Sequence, residues 1–225
     1  MKLFRGDTKG NKTLPEKYAT DGIFSKQLNS GDDPEPQKKY GWLKTISSHI
    51  HPSSVEEKFI YNTTQYLSFS TDREIVMNYL ATKQKYTLLS TDRHNADCYL
   101  FQFDIPMEIL KETGQGTYIF NYSCNYEKTK YDPKFTSHIA SMHRCNICSA
   151  NPSYIHKLLI IDAETFLQDK QDVYHQQYSN AKRDREWLLM PADPMVGQSY
   201  SVGYQSRIPL SNHWTVDFFK HFKPT

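Results

Sequence analysis

Three short stretches of this sequence carry side chains suited to chemistry: Arg5 in LFRG at 3–6, Ser68 and Ser70 in YLSFSTD at 66–72, and Glu186 in DREWLLM at 184–190. A guanidinium offers charge-assisted, forked hydrogen bonds to phosphate or carboxylate. A hydroxyl donates and accepts, and a carboxylate can steady a developing positive charge. Taken singly, each feature is ordinary. An Arg at a strand end is usually a surface charge, a Ser in a strand usually carries no role, and a Glu ahead of an apolar strand is usually a solvated edge residue. Their order and flanking patterns make the combination informative. A fourth stretch, His143-Arg144-Cys145-Asn146-Ile147-Cys148, contains C-x-x-C, a common half of a zinc site. Cys124 with His138 or His143 would complete four ligands. Only one C-x-x-C is present and the other spacings are irregular, so a thiol pair is preferred to zinc. No thioredoxin-like strand–helix context surrounds the motif, which argues against redox catalysis. The RGD triplet at 5–7 is too short and too frequent by chance to indicate adhesion.

The elements that must position these residues are legible in part. LFRG reads as a short strand ending at Gly6. Residues 29–39, rich in Gly, Pro and charge, read as a loop. His49 and His51, just ahead of Pro52, are expected on a loop as well. Ser54 and Glu57 resemble a capping box, which predicts a short helix over 54–62. Residues 66–70 favour a strand. Thr71 and Glu74 form a second box ahead of Ile75, Val76, Tyr79 and Leu80 at helical spacing, so a strand should run into a helix over 68–80. Residues 98–104 and 117–122 read as strands, with Pro106 opening a short helix to about Lys111. Residues 123–153 show no period and read as an insertion or long loop. A buried-strand pattern at 155–161 precedes a short helix near 163–169. The polar stretch 170–183 reads as a solvated loop. Strands are expected at 186–190 and twice within 198–220. The sum is an α+β chain, one domain over 1–225 with the Cys/His-containing insertion at about 123–153.

Composition bounds the rest. A chain of 225 residues can bury a real core without staples. Apolar residues are 38% and the mean hydropathy is −0.71, so the surface is polar. The 16 Tyr and 12 Phe suit strands and ligand clefts, and a β-rich core accounts for most of them. A net charge of +2 neither demands nor excludes a nucleic-acid partner. No apolar run approaches the roughly 20 residues of a membrane span. MKLFRGDTKG lacks the apolar core of a signal peptide, so a cytoplasmic protein is expected, or one delivered into a target cytoplasm by a non-classical route. In that setting Cys98, Cys124, Cys145 and Cys148 are thiols or metal ligands rather than disulfides.

The three motifs together resemble the Arg-Ser-Glu class of ADP-ribosyltransferases, the cholera-toxin-like clan. LFRGDTKG followed by GIFSK at 22–26 is similar to the opening of the pierisin-like and Rhs-associated toxin branches, which begin with an aromatic-Arg-Gly-Asp strand and a later Gly-aromatic pair. Residues 66–71, YLSFST, match the second motif, aromatic-x-Ser-x-Ser/Thr ahead of a helix. Glu186 matches the third, a Glu opening a strand after a polar turn. The resemblance implies a split, mostly antiparallel β core around an NAD cleft and a mono-ADP-ribosyltransferase, commonly a bacterial toxin or effector. The segment 123–153 is not part of the pattern.

On that resemblance NAD is the substrate. Arg5 would bind its pyrophosphate, and Gly6 would let the backbone approach the nicotinamide amide. Asp7, Ser68 and Ser70 join the NAD-binding set. Ser68 would hold the nicotinamide ribose or position Glu186, with Ser70 the competing hydroxyl. Glu186 would support the oxocarbenium-like charge as the glycosidic bond opens. Nicotinamide leaves neutral, so no general acid is required. Asp184, two residues earlier, would share a strand face with Glu186. Arginine-modifying members usually have Glu there and base-modifying members often Gln, so Asp leaves the acceptor open, although a shorter carboxylate can still deprotonate a nucleophile. Tyr174, His175, Tyr178, Asn180, Lys182 and Arg183 mix rings with cations, which suits stacking on a base and holding phosphate. It equally suits an ordinary loop. The favoured acceptor is a base of RNA or DNA rather than a protein side chain. A neutralising antitoxin or immunity protein is the implied partner, and no membrane. Alternatives are an NAD glycohydrolase using the same residues, a non-catalytic zinc-stabilised nucleic-acid-binding module centred on 124–148, and an inactive transferase-like fold.

Overall fold

The computed structural model describes residues 1–8, 23–24, 39–64, 66–89, 98–123, 130–131, 155–191, 207–208 and 214–219. Its strands are β1 (Lys2–Thr8), β2 (Ile23–Phe24), β3 (Leu67–Ser70), β4 (Cys98–Asp104), β5 (Lys111–Gly114), β6 (Thr117–Ser123), β7 (Lys130–Tyr131), β8 (Ile155–Asp162), β9 (Glu186–Pro191), β10 (Arg207–Ile208) and β11 (Trp214–Phe219). Its α-helices are α1 (Trp42–Ile50), α2 (Val55–Thr63), α3 (Arg73–Leu89), α4 (Ala163–Leu167) and α5 (His175–Asp184). The class is α+β, as the sequence implied. Nine strands form one sheet in the order β5-β6-β8-β9-β3-β1-β4-β11-β7, and β2 pairs with β10 separately. Every pairing is antiparallel except β11 with β7. Among the described residues, no helix is long and apolar enough to cross a membrane.

The sheet is not flat. Phe103 on β4 and Phe120 on β6 have ring centroids 5.4 Å apart, although their strands stand five places apart in the sheet order. Five strand spacings in a flat sheet would separate them by about 24 Å. The two halves therefore fold over one another around an aromatic core of Phe69, Tyr99, Phe101, Phe103, Phe120 and Trp214. Phe103 stacks on Trp214 at 4.3 Å. The hinge is the junction of β1 with β3, where a single pair, Phe4 with Ser70, joins the halves. Beyond that pair the strands part, and the opening between them is where Arg5 lies.

The helices cover the outer faces. α3 packs on β1 and β4 through Val76, Phe4 and Leu100. α1 lays Ile46 against Tyr66, Leu188 and Met190. α1 and α2 are locked by Glu57, which accepts from Lys44 at 3.0 Å and from the Ser53 amide and hydroxyl. Burial alone would push the Glu57 carboxyl up, but these bonds outweigh it and hold it down at about 2.

Several local expectations change. The first strand runs on through Gly6 to Thr8. Ser54 caps α2 as its box predicts, but the cap of α3 is Asp72, whose Oδ1 accepts from the Glu74 amide at 2.9 Å, rather than Thr71. Pro106 opens only a 3-10 turn, Met107–Ile109, after which β5 begins. The unpatterned segment 123–153 returns to the sheet at β7; its remainder from 124 lies outside the described residues. The expected loop over 170–183 becomes a 3-10 turn and then helix α5. That helix buries only the narrow stripe Gln177, Asn180 and Ala181, so no apolar period announces it.

Candidate functional site

Arg5 leaves the ladder where β1 and β3 part. Its Nη1 donates to the Ser68 carbonyl at 3.0 Å, replacing a backbone partner that the opened ladder lacks. Nε and Nη2 donate to the two Asp7 carboxylate oxygens at 3.3 Å, and the guanidinium carbon stands 6.0 Å from the Phe69 ring centroid. A guanidinium has five N–H groups. Three are used here, which leaves one on each terminal nitrogen for a further acceptor.

Ser68 and Ser70 separate clearly. Ser70 is buried; its hydroxyl donates to the Asp184 carbonyl at 2.7 Å and accepts from the Asp72 amide at 3.1 Å. Ser68 instead meets His49 Nε2 at 3.1 Å, and its hydroxyl lies close enough to the Glu186 carboxylate to favour the ionised form. His49 Nδ1 lies 2.7 Å from Thr64 Oγ1, and Thr64 donates its own proton to the Tyr61 carbonyl at 3.0 Å.

Glu186 opens β9 opposite Ser70 in the β3–β9 register. Burial pushes its carboxyl up to about 7; the Asp184 charge adds to this, and the Ser68 hydroxyl and the Arg183 charge oppose it. The corner that presents it is fixed by Arg185, a left-handed residue at φ 46° that ends α5. That conformation costs about 1 kcal/mol for a non-glycine residue. It is held by Thr71 N–H to the Arg185 carbonyl at 3.3 Å and by Arg185 to Asp72 at 3.3 Å.

Arg5, Gly6, Asp7, Ser68, Ser70, Asp184 and Glu186 all border one cleft of about 710 Å³. That volume falls within the roughly 300–1,000 Å³ of small-molecule sites. Residues 5, 68 and 186, far apart in sequence, thus share one cavity. Asp184 reaches it from the last turn of α5, with left-handed Arg185 intervening, and not as the strand neighbour of Glu186. Gly6 has a second reason to be glycine: a Cβ there would stand 2.7 Å from Leu80 Cγ on α3. Of the polar set at 174–183, Arg183 borders the cleft, Asn180 is buried, and Lys182 Nζ lies 5.9 Å from the Tyr178 ring.

His49 and Thr64 are the site residues that the motifs do not reveal. His49 belongs to α1 rather than a loop, three residues beyond buried Ile46. That i, i+3 spacing on the covered face is the signal that could have found it. Cys124, His138, His143, Cys145 and Cys148 lie outside the described residues, and Cys98 is buried on β4. Among the described residues, no group of three or more His, Cys, Asp or Glu side chains is arranged to hold a metal. No protein-family model, no curated protein and no solved structure matches the chain.

Proposed function

We propose that this protein is an NAD-dependent mono-ADP-ribosyltransferase of the toxin or effector kind, moving ADP-ribose onto a nucleic-acid base. The observation that carries the reading is the meeting of Arg5, Ser68 and Glu186 in one cleft, with the Ser68 hydroxyl held by His49. The two N–H groups left on Arg5 suit pyrophosphate oxygens. Tyr61, half-buried at the cleft border, gives an aromatic surface that suits a nicotinamide ring. Glu186, once ionised, is suited to steady the positive charge that grows on the ribose as neutral nicotinamide leaves. His49 acts as a positioning residue: it orients the Ser68 hydroxyl. Asp184 borders the same cleft, paired with Arg183.

The same machinery with water as acceptor would be an NAD glycohydrolase, so acceptor assays decide. Labelled NAD is incubated with the protein and separate pools of RNA, DNA and protein. Label in a nucleic-acid pool, lost in Glu186→Ala, is the expected result. Nicotinamide release without transfer would replace the transferase with a glycohydrolase, and label confined to the protein pool would overturn the acceptor class.

A further inference from the structure

The described carboxylates around the cleft other than Glu186 are each tied to an arginine of the chain itself. Arg5 pairs with Asp7 at 3.3 Å, and Arg185 with Asp72 at 3.3 Å. Arg183 grips Asp184 through Nε at 2.8 Å and Nη2 at 2.7 Å. This third pair is the tightest, and both of its members border the cleft beside Glu186. Arg183 is further fixed by Nη1, which donates to Asn180 Oδ1 at 3.1 Å. Asn180 is buried, and its Oδ1 also accepts from Gln176 at 3.0 Å. Three bonds thus hold the fork in place along α5, although the Arg183 side chain is 66% exposed.

A cationic acceptor needs a carboxylate twice over. Its charge must be neutralised near the reacting carbon, and a proton must be removed before a nitrogen lone pair can attack. Asp184 is the carboxylate placed for both tasks, and it is already occupied from within. The Arg183–Asp184 pair is net neutral, so Asp184 offers a second cation no uncompensated negative charge. An uncharged nucleobase makes neither demand. Two N–H groups of Arg183 remain for a base carbonyl or a phosphate oxygen, the acceptors that a nucleic acid offers.

We propose that Arg183 is a specificity-determining residue that closes the acceptor side of the cleft to guanidinium and ammonium groups and so directs transfer to an uncharged nucleobase. The proposal rests on the transferase reading. In the transfer, the bond from ribose C1′ to the nicotinamide nitrogen breaks and its electron pair leaves with neutral nicotinamide. A bond from the base nitrogen to C1′ forms, and the displaced proton passes to solvent.

The test incubates wild type, Arg183→Ala and Arg183→Lys with labelled NAD and either agmatine or single-stranded RNA and DNA oligonucleotides. The readout is label transferred per nicotinamide released, for variants whose circular dichroism matches wild type. Wild type should label an oligonucleotide and leave agmatine unlabelled. Arg183→Ala should raise the agmatine ratio at least tenfold, and Arg183→Lys, which keeps the charge without the fork, should fall between. Equal agmatine ratios in wild type and Arg183→Ala, whether high or low, overturn the role of Arg183. Wild type that labels agmatine and no oligonucleotide overturns the nucleobase assignment. Nicotinamide release with unchanged ratios removes this inference alone; no nicotinamide release from folded wild type removes the transferase reading and this inference with it.

Discussion

Ser68 and Ser70 stand two residues apart on one face of β3, yet their partners divide chemistry from architecture. Ser68→Ala removes the hydroxyl that His49 holds in the cleft. It should cut nicotinamide release at least tenfold while leaving the melting temperature nearly unchanged. Ser70→Ala strands the Asp184 carbonyl and the Asp72 amide, so it should cost about 1–3 kcal/mol of stability in denaturant titration. A reversal of these effects would exchange the two roles. The Glu186 carboxyl titrates near 7, above its ordinary 4.5. Ionising it in the folded state therefore costs stability. The cost is absent below pH 4.5, grows between 4.5 and 7, and is complete above 7. Glu186→Gln removes it, so the variant should be more stable than wild type at pH 8 by about 3 kcal/mol and equal to it near pH 4. Equal stability at both pH values would show that Glu186 is not held in a desolvated place. If the ionised form acts, nicotinamide release should also rise through pH 7.

At the scale of elements, the glycine after Arg5 couples the site to the packing of α3. A Cβ at position 6 would overlap Leu80, which is fully buried. Gly6→Ala should therefore destabilise the fold by about 1–3 kcal/mol, and Leu80→Ala should interact with it non-additively in a double-mutant cycle. Simple additivity would mean that the helix yields freely at this point. The elements that the sequence makes legible are those with a strong local signature. Cys98–Asp104 is a run of β-favouring aromatics, and the Ser54 box announces α2. Helix α5 escapes because its buried stripe is polar: Gln177 donates to the His51 carbonyl at 3.0 Å, and Asn180 serves Arg183 and Gln176. The place of His49 in the site escapes for a related reason. A histidine on a covered helix face becomes informative only when the strand opposite, with Ser68, is known.

At the scale of the whole molecule, the site exists because the sheet folds back on itself. β1 and β3 share one pair, then part, and the gap admits Arg5 from one side while Ser68 and Glu186 border the same cleft. The motifs at 5, 68 and 186 indicate which residues belong together; they do not indicate the αL corner at Arg185 or the arginine that occupies Asp184. The corner depends on contacts between segments more than 100 residues apart, such as Ser70 with Asp184, and the Arg183–Asp184 pair faces the cleft only because α5 ends there. The most direct measurement is nicotinamide release from NAD at pH 8 by wild type and by Glu186→Gln, with both shown to be folded. Release by wild type that falls at least a hundredfold in the variant is the expected result, the scale of losing one transition-state contact. An undiminished rate in the folded variant would contradict the site.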